Sequence, residues 1–232
     1  MSDLEALRSE FDRLATLEGR EAFNHSDHLF PWLVRQLPPR MADVVEVGCG
    51  SGALTAALAP VAGRLLALDL SPEMLRLAHE RCARFPHVVF EQCDANAWHP
   101  APRSLDAVVS IATLHHLEAA VVLPRWAAAL RPGGVLLILD VLDRPRLADL
   151  PRNAIATLLS GWLRWRRTGR PWVDPGIRAA WEAHARFDRL PTLAEVHRQA
   201  HAWLPGASVR HHLLWRYSIR WQADAGHSPP AS

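Results

Sequence analysis

The chain of 232 residues is 49% apolar and 22% charged, which predicts one globular domain with its own core. All 26 basic residues are arginine, and the formal net charge of +2 is too small to favour a polyanionic partner. The three cysteines are odd in number and lack metal-type spacing, which indicates a reducing compartment.

Residues 1–40 precede the first predicted strand and are expected to form an N-terminal helical cap. Leu4, Leu7, Phe11 and Leu14 recur at helical spacing among acidic residues, which predicts an amphipathic helix instead of a targeting signal. No run of 18 apolar residues occurs, so we predict no integral membrane segment and a cytoplasmic location.

Residues 41–142 alternate between buried strands and helices and form the expected cofactor-binding core. The predicted strands are runs rich in Val, Ile and Leu at 43–47, 64–70, 87–92, 105–111 and 133–141. Ser71 and Pro72 fit the cap and first turn of one intervening helix. The alternation predicts an α/β fold: a Rossmann-like, doubly wound, mostly parallel sheet with ligands at the carboxyl ends of the strands.

Residues 143–206 change to a helical pattern and are expected to form an inserted substrate lid. Its helices are predicted at 151–168, ended by Gly169, at 177–188, and from Thr192, where Glu195 completes a capping box. Residues 207–225 are β-rich and provide an antiparallel C-terminal strand, either in a hairpin or as one bulged strand. A single domain over 1–225 and a disordered tail over 226–232 complete the expected organisation.

The stretch VVEVGCGSG, at 44–52, is the most informative motif. A buried strand leads into Gly48, Gly50 and Gly52 and then into a helix, so the backbone can approach a ligand closely and helix N–H groups can bind it. The G-x-G-x-G spacing differs from the dinucleotide fingerprint G-x-G-x-x-G. Taken alone, such a triplet is equally typical of an ordinary strand–helix turn.

Two acids extend the motif. Asp69 ends the second strand, 21 residues after Gly48, where a carboxylate can accept both ribose hydroxyls of an adenosine. Asp94 follows the third strand, where it can receive the adenine amino group. Each acid alone has an ordinary interpretation as a helix-capping or loop residue. Their order after Glu46 and the glycines favours adenosine binding.

With these motifs, residues 41–142 resemble the class I S-adenosylmethionine-dependent methyltransferases, of the small single-domain type that acts on small molecules. The motifs VVEVGCGSG, ALDLSPEML, EQCDA, LDAVVSIATLHHL and LRPGGVLLILDV occur in family order. The resemblance implies S-adenosyl-L-methionine as cofactor and S-adenosyl-L-homocysteine as product. At the amino-acid end of the cofactor the implied contacts are Glu46, Gly48, Cys49, Gly50 and Gly52, and at the ribose the implied contact is Asp69. At the adenine they are Leu70, Met74, Asp94 and Ala95, and at the methyl-transfer site they are Ser110 and Ile111.

Four histidines are candidate active-site residues. In-line methyl displacement mainly requires a nucleophile held about 3 Å from the methyl, and a base only if the nucleophile must lose a proton. His115 and His116 follow the fourth strand and are catalytic candidates, with a structural or substrate-shaping role as the alternative. In the cap, His28 is a further catalytic candidate and His25 a substrate contact.

Metal and nucleic acid are not expected ligands. The pairs at 25/28 and 211/212 lack i,i+4 helical spacing with a third ligand, so we predict no metal site. Nucleic-acid amino-methyltransferases of this fold carry an Asn/Asp-Pro-Pro-aromatic segment after the fourth strand, whereas this chain has SIAT. No basic stripe accompanies it.

The lid segment SGWLRWRRTGRPW, at 160–172, combines three tryptophans with four arginines. Helical spacing places Trp162 and Trp165 with Leu158 and Leu159, which predicts a core face. The alternative is that Trp162 and Trp165 form a wall of the substrate pocket. Three interpretations stay open for the four arginines: they are solvated, they contact an anionic substrate, or they make peripheral contact with a membrane surface.

The leading hypothesis is a methyltransferase acting on O, N, S or C of a small apolar or aromatic metabolite. The alternatives are a methyltransferase-like cofactor-binding partner without its own activity, a protein methyltransferase, and a nicotinamide-dependent oxidoreductase, which the glycine spacing and Asp94 disfavour. A monomer and a homodimer fit the sequence equally well.

Overall fold

The computed structural model describes residues 3–18, 26–143, 150–169, 172–173 and 175–224. His25 and the predicted tail at 226–232 lie outside these residues. The seven strands are β1 (Met41–Val47), β2 (Ala62–Asp69), β3 (Val88–Gln92), β4 (Leu105–Ile111), β5 (Leu130–Val141), β6 (Ser208–His212) and β7 (Arg216–Gln222). The helices are α1 (Asp3–Glu18), α2 (Phe30–Arg35), α3 (Ala53–Leu58), α4 (Pro72–Cys82), α5 (Ala119–Ala129), α6 (Leu150–Thr168), α7 (Pro175–His184) and α8 (Leu193–Trp203).

The strands form one seven-stranded sheet in the order β3-β2-β1-β4-β5-β7-β6. The β1–β2, β2–β3, β1–β4 and β4–β5 pairs are parallel, and β7 runs antiparallel to both β5 and β6. The central β4 and β5 are almost continuously buried because helices cover both faces, as their unbroken apolar runs predict. The predicted fold class is confirmed.

The C-terminal β segment is a hairpin, which decides between the two alternatives left by the sequence. Residues 213–215 form the turn, in which Leu214 and Trp215 have positive φ angles of 60° and 57°. His211 pairs with Tyr217 across the hairpin, and Tyr217 in turn pairs with Asp140 of β5. The hairpin therefore extends the sheet beyond β5.

The helix starts and stops predicted from capping signals agree with the structure. The Ser71 hydroxyl accepts a hydrogen bond from Met74 N at 3.1 Å, and Thr192 and Glu195 form the capping box of α8. Gly169 ends α6 with φ of 71°, and its N–H donates to Trp165 O at 2.8 Å. The helix predicted at 177–188 is shorter: α7 ends at His184, followed by a 3₁₀ turn over Ala185–Phe187.

The predicted core face of α6 is wrong. Trp162 and Trp165 are 48% and 55% exposed and Leu158 is more exposed still, whereas Arg164 is only 6% exposed. Helical spacing shows which residues share a face but not which face turns inward. The Arg166 guanidinium lies 5.1 Å from the Trp162 ring centroid, a cation–π arrangement that partly covers this indole in solvent.

The N-terminal helix α1 closes over the carboxyl end of the sheet. The Ser71 hydroxyl donates to the Asp12 carboxylate at 2.5 Å, which ties α1 to the start of α4. Arg13 pairs with Glu10 and donates to Ala180 O at 3.3 Å, which ties α1 to α7. None of the helices in the described ranges is long and apolar enough to cross a membrane.

Candidate active site

The glycine loop is held by its neighbour strand. The backbone N–H groups of Gly48 and Cys49 both donate to Leu68 O of β2, at 2.8 and 2.9 Å. The Asp69 carboxylate, at the end of β2, accepts from Gly50 N at 2.7 Å and Ser71 N at 2.9 Å. Burial raises the pKa of Asp69 although these N–H donors oppose the shift. Asp69 thereby joins the glycine loop to the start of α4.

Gly50 and Gly52 fulfil different requirements of this loop. Both have positive φ, 51° and 79°, which disfavours any other residue. A Cβ on Gly50 would meet nothing within 4 Å, whereas a Cβ on Gly52 would lie 2.9 Å from the Ala78 Cα of α4. Gly50 therefore leaves room on the cavity side, and Gly52 allows α3 and α4 to approach closely.

Glu46 is a buried acid at the base of the loop. Its carboxylate accepts a 2.6 Å hydrogen bond from the Thr55 hydroxyl of α3. Burial, together with the nearby Asp69, raises the pKa of Glu46 to about 8. At pH 7 the side chain is therefore protonated, and a cation bound beside it would favour its ionisation.

This buried acid makes the ligand-free protein less stable as the pH rises. The folded pKa lies above the unfolded value near 4.5, so the folded state binds more protons between these pKa values and its stability falls toward pH 8. Between pH 5.5 and 8.5, we expect the free energy of unfolding to fall by roughly 3 kcal/mol more in the parent protein than in Glu46→Gln, because glutamine does not ionise. Urea unfolding of both proteins at each pH measures the difference, and parallel pH profiles would contradict the expectation.

A cavity of about 220 Å³ joins the loop to the lid. Its lining includes ten of the predicted cofactor residues: Glu46, Gly48, Cys49, Gly50, Asp69, Leu70, Met74, Asp94, Ala95 and Ile111. The opposite wall comes from the N-terminal cap and α7, namely Leu4, Leu7, Phe11, Phe30 and Trp181. The predicted cofactor residues are thus brought together under an apolar cover.

Several predicted site residues lie elsewhere. Ser110 does not line the cavity, because its buried hydroxyl donates to Val47 O at 3.0 Å and joins β4 to β1. Gly52 lies behind the loop, and His28 is exposed in the 3₁₀ turn Asp27–Leu29. Trp162 and Trp165 are exposed on α6 and do not line the cavity.

Sequence reasoning missed Trp181 and the partners of the histidines. Trp181 is the lid tryptophan that lines the cavity, and the α7 periodicity alone could not show which indole does so. His115 is buried, and its Nδ1 lies 2.6 Å from Asp140 Oδ1. His116 lines the cavity with its side chain packed edge-on against Phe11, ring centroids 5.4 Å apart. Burial and the neighbouring His115 and His184 lower the pKa of His116 to about 3.

A larger depression, of about 580 Å³, lies on another part of the surface, where α2 approaches β5 and the C-terminal hairpin. Arg35, Arg210 and Arg220 are among its lining residues. No predicted cofactor residue lines it, so size alone does not identify the site.

Comparison with known proteins identifies relatives of this chain. A family model of the methyltransferase domain matches residues 44–134. An uncharacterized methyltransferase of Mycobacterium tuberculosis (strain ATCC 25618 / H37Rv) is 31% identical over 206 residues, 88% of this chain and 98% of the relative. The chain belongs to the class I S-adenosylmethionine-dependent methyltransferases. The resemblance seen in its sequence motifs is thereby confirmed, and it is an enzyme that uses S-adenosylmethionine.

Two further similarities cover most of this methyltransferase. The trans-aconitate 2-methyltransferase of Azoarcus sp. (strain BH72) is 35% identical over 186 residues, 74% of this chain and 70% of the relative. The structure of the DhpI–SAH complex has a TM-score of 0.64 and 22% identity, and covers 96% of this chain and 97% of DhpI. This structural similarity supports the fold.

The residues around the cavity fit the family's cofactor. The open space beside Gly50 leaves room for a ligand against the backbone, and Glu46 and Asp69 place two acids where cationic and hydroxyl groups need partners. Asp94 Oδ1 accepts from Asn96 N at 2.9 Å, which fixes that carboxylate at the far end of the cavity. When bound, S-adenosylmethionine supplies a methyl group activated by its sulfonium.

Proposed function

We propose that this methyltransferase transfers a methyl group to a small apolar or aromatic molecule that binds between the glycine loop and the lid. The observation that carries the proposal is the single cavity shared by Glu46, Asp69 and Asp94 with the apolar side chains of α1 and α7. Such a site combines a largely apolar wall with a few polar anchors. Residues of α1 (Asp3–Glu18) and α7 (Pro175–His184) act as its cover.

The charge of the lining favours an uncharged acceptor. None of the described lining residues is an arginine, and the chain contains no lysine. Recognition of a polycarboxylate normally uses arginine or lysine, which form strong charge-assisted hydrogen bonds with carboxylates. The trans-aconitate relative therefore shares the reaction class, and we propose a different acceptor class for this chain.

The acceptor would lie near His116 and the end of β4. His116, Ile111 and Thr113 line the cavity where β4 ends, across from Phe11 of the cover. In-line displacement requires that the acceptor atom be held against the methyl group, and packed aromatic and imidazole rings provide such positioning. We propose His116 as a substrate-contacting residue and His115 as the residue that fixes its position.

The proposal is tested by transferring labelled methyl groups into a cell extract of the source organism. The extract is then separated into organic-soluble, aqueous and macromolecular fractions. We expect the label in the organic-soluble fraction. Label in the macromolecular fraction would contradict the proposal and support the protein methyltransferase alternative, and label confined to the aqueous fraction would contradict the apolar acceptor.

Two tryptophan variants test the position of the acceptor. Trp181→Ala removes the indole that lines the cavity, so we expect labelling of the acceptor fraction to fall roughly tenfold, about 1.4 kcal/mol. Trp162→Ala removes an exposed indole outside the cavity and should leave the rate unchanged. Initial labelling rates at equal enzyme concentration measure the difference. A larger loss in Trp162→Ala would place the acceptor against α6 instead.

A further inference from the structure

Four titratable side chains meet behind the cavity, where the lid contacts the core. His115 and His116 follow β4, and His184 and Asp188 belong to the lid. The Nε2 atoms of the three histidines lie 3.7, 3.8 and 3.7 Å from a single atom, Asp188 Oδ1. These separations are too long for hydrogen bonds.

The Asp188 oxygen that faces the three histidines accepts no hydrogen bond from the described residues. This atom, Oδ1, is buried and has no hydrogen-bond partner in the described part of the chain, and the same is true of Nδ1 in His116 and His184. A buried carboxylate oxygen without a partner is costly, and a cation coordinated by the cluster would offset that cost. Two further acids lie near the cluster: Asp140 interacts electrostatically with Arg216, and Glu10 with His184.

The donor set matches that of a transition-metal site. The ligand atoms of His115, His116 and Asp188 all lie within 4.8 Å of one another. Two imidazoles and a carboxylate, with a further imidazole nearby, are typical ligands of zinc and related divalent ions. In a tetrahedral zinc site, with bonds of about 2.0–2.1 Å, neighbouring donors lie about 3.3 Å apart, so the donors must move closer together when the ion binds.

Asp140 supplies the outer support that such sites usually have. Its Oδ1 lies 2.6 Å from His115 Nδ1, and its Oδ2 accepts from His115 N at 3.0 Å. With the proton on Nδ1, the imidazole presents the lone pair of Nε2 toward Asp188. This is the carboxylate–histidine–metal arrangement, which orients a ligand and raises its basicity.

We infer that His115, His116 and Asp188 bind a divalent transition-metal ion, beside His184. The ion would join the end of β4 to the turn after α7 and so fasten the lid over the cavity. The inference differs from the prediction from sequence that the chain has no metal site. The pairs considered there were sequence neighbours, whereas this donor set combines residues more than 60 positions apart.

Metal binding by the full chain tests the inference without any methyl acceptor. The protein is stripped with a chelator and titrated with Zn²⁺ against a competing indicator, and with Co²⁺ by visible absorption. We expect one tightly bound ion per chain, intense Co²⁺ bands of a tetrahedral site, and a higher melting temperature with Zn²⁺. Asp188→Asn should weaken binding at least 100-fold and His184→Gln about tenfold.

A surface histidine pair provides the control. His197 and His201 are exposed at i,i+4 on α8, so the double variant His197→Gln/His201→Gln removes a weak chelating pair remote from the cluster. It should retain the tight ion. The inference is overturned if the parent binds no ion more tightly than this pair does, or if Asp188→Asn, shown to be folded by its near-ultraviolet circular dichroism, binds Zn²⁺ as the parent does. The cluster would then be a packed group of histidines in which Asp140 positions His115 by hydrogen bonds.

Discussion

Replacing Asp69 by alanine will weaken S-adenosylmethionine binding by at least about 100-fold, equivalent to about 2.7 kcal/mol. The carboxylate accepts hydrogen bonds from Gly50 N and Ser71 N, so it fixes both the glycine loop and the start of α4. Each hydrogen bond to a charged acceptor contributes about 1.5–3 kcal/mol. Loss of both would release the loop, in addition to removing the acceptor that we propose for the cofactor's ribose.

Isothermal titration with S-adenosylmethionine and S-adenosylhomocysteine measures this loss directly. Asp69→Asn keeps the size of the side chain, but its NH₂ group is a donor and cannot accept a hydrogen bond from one of the two backbone N–H groups. We therefore expect an affinity between those of the parent protein and Asp69→Ala. Glu73→Ala serves as control, because Glu73 is exposed in the first turn of α4 and pairs only with Arg76 among the contacts described. Unchanged affinity in Asp69→Ala would refute the assignment of Asp69 to the ribose.

Local sequence signals were sufficient for the core of the fold. The runs of β1, β4 and β5 are apolar without alternation because both faces of these strands are largely buried, and the glycine loop follows at the carboxyl end of β1. Capping residues such as Ser71 and Thr192 fixed helix starts because their hydrogen bonds are made within four residues. Such features depend on neighbours in sequence and are readable from it.

The lid and the histidine cluster depend on contacts between distant segments. Periodicity grouped Trp162 with Trp165 correctly, but the inward direction of α6 is set by what packs against it, and Arg164 is the buried residue. Likewise, nothing near His115 in sequence indicates Asp140, 25 residues away, or Asp188 in the lid. The cavity wall formed by Trp181 was missed for the same reason.

Substituting alanine for Gly50 will mainly lower cofactor affinity, whereas substituting alanine for Gly52 will mainly lower the stability of the fold. A Cβ on Gly50 extends from the loop into open space, so the ligand-free protein should lose only about 1 kcal/mol from the left-handed backbone. Gly50 lines the cavity, and a methyl group there occupies space needed for close approach to the backbone. We therefore expect cofactor affinity to fall by about 100-fold while the fold persists.

Gly52→Ala should mainly lower the free energy of unfolding. Its Cβ would lie 2.9 Å from the Ala78 Cα and Cβ, so α4 must shift, at a cost of about 2–4 kcal/mol in the free energy of unfolding. Urea unfolding without cofactor and calorimetric titration with cofactor measure the two effects separately.

Gly133→Ala is the matched control for Gly50→Ala, because Gly133 has φ of 83°, has open space around its Cβ and lies outside the cavity. If Gly50→Ala lost no more affinity than Gly133→Ala, the cofactor would not approach the backbone at Gly50, and the glycine loop would serve only the strand–helix turn.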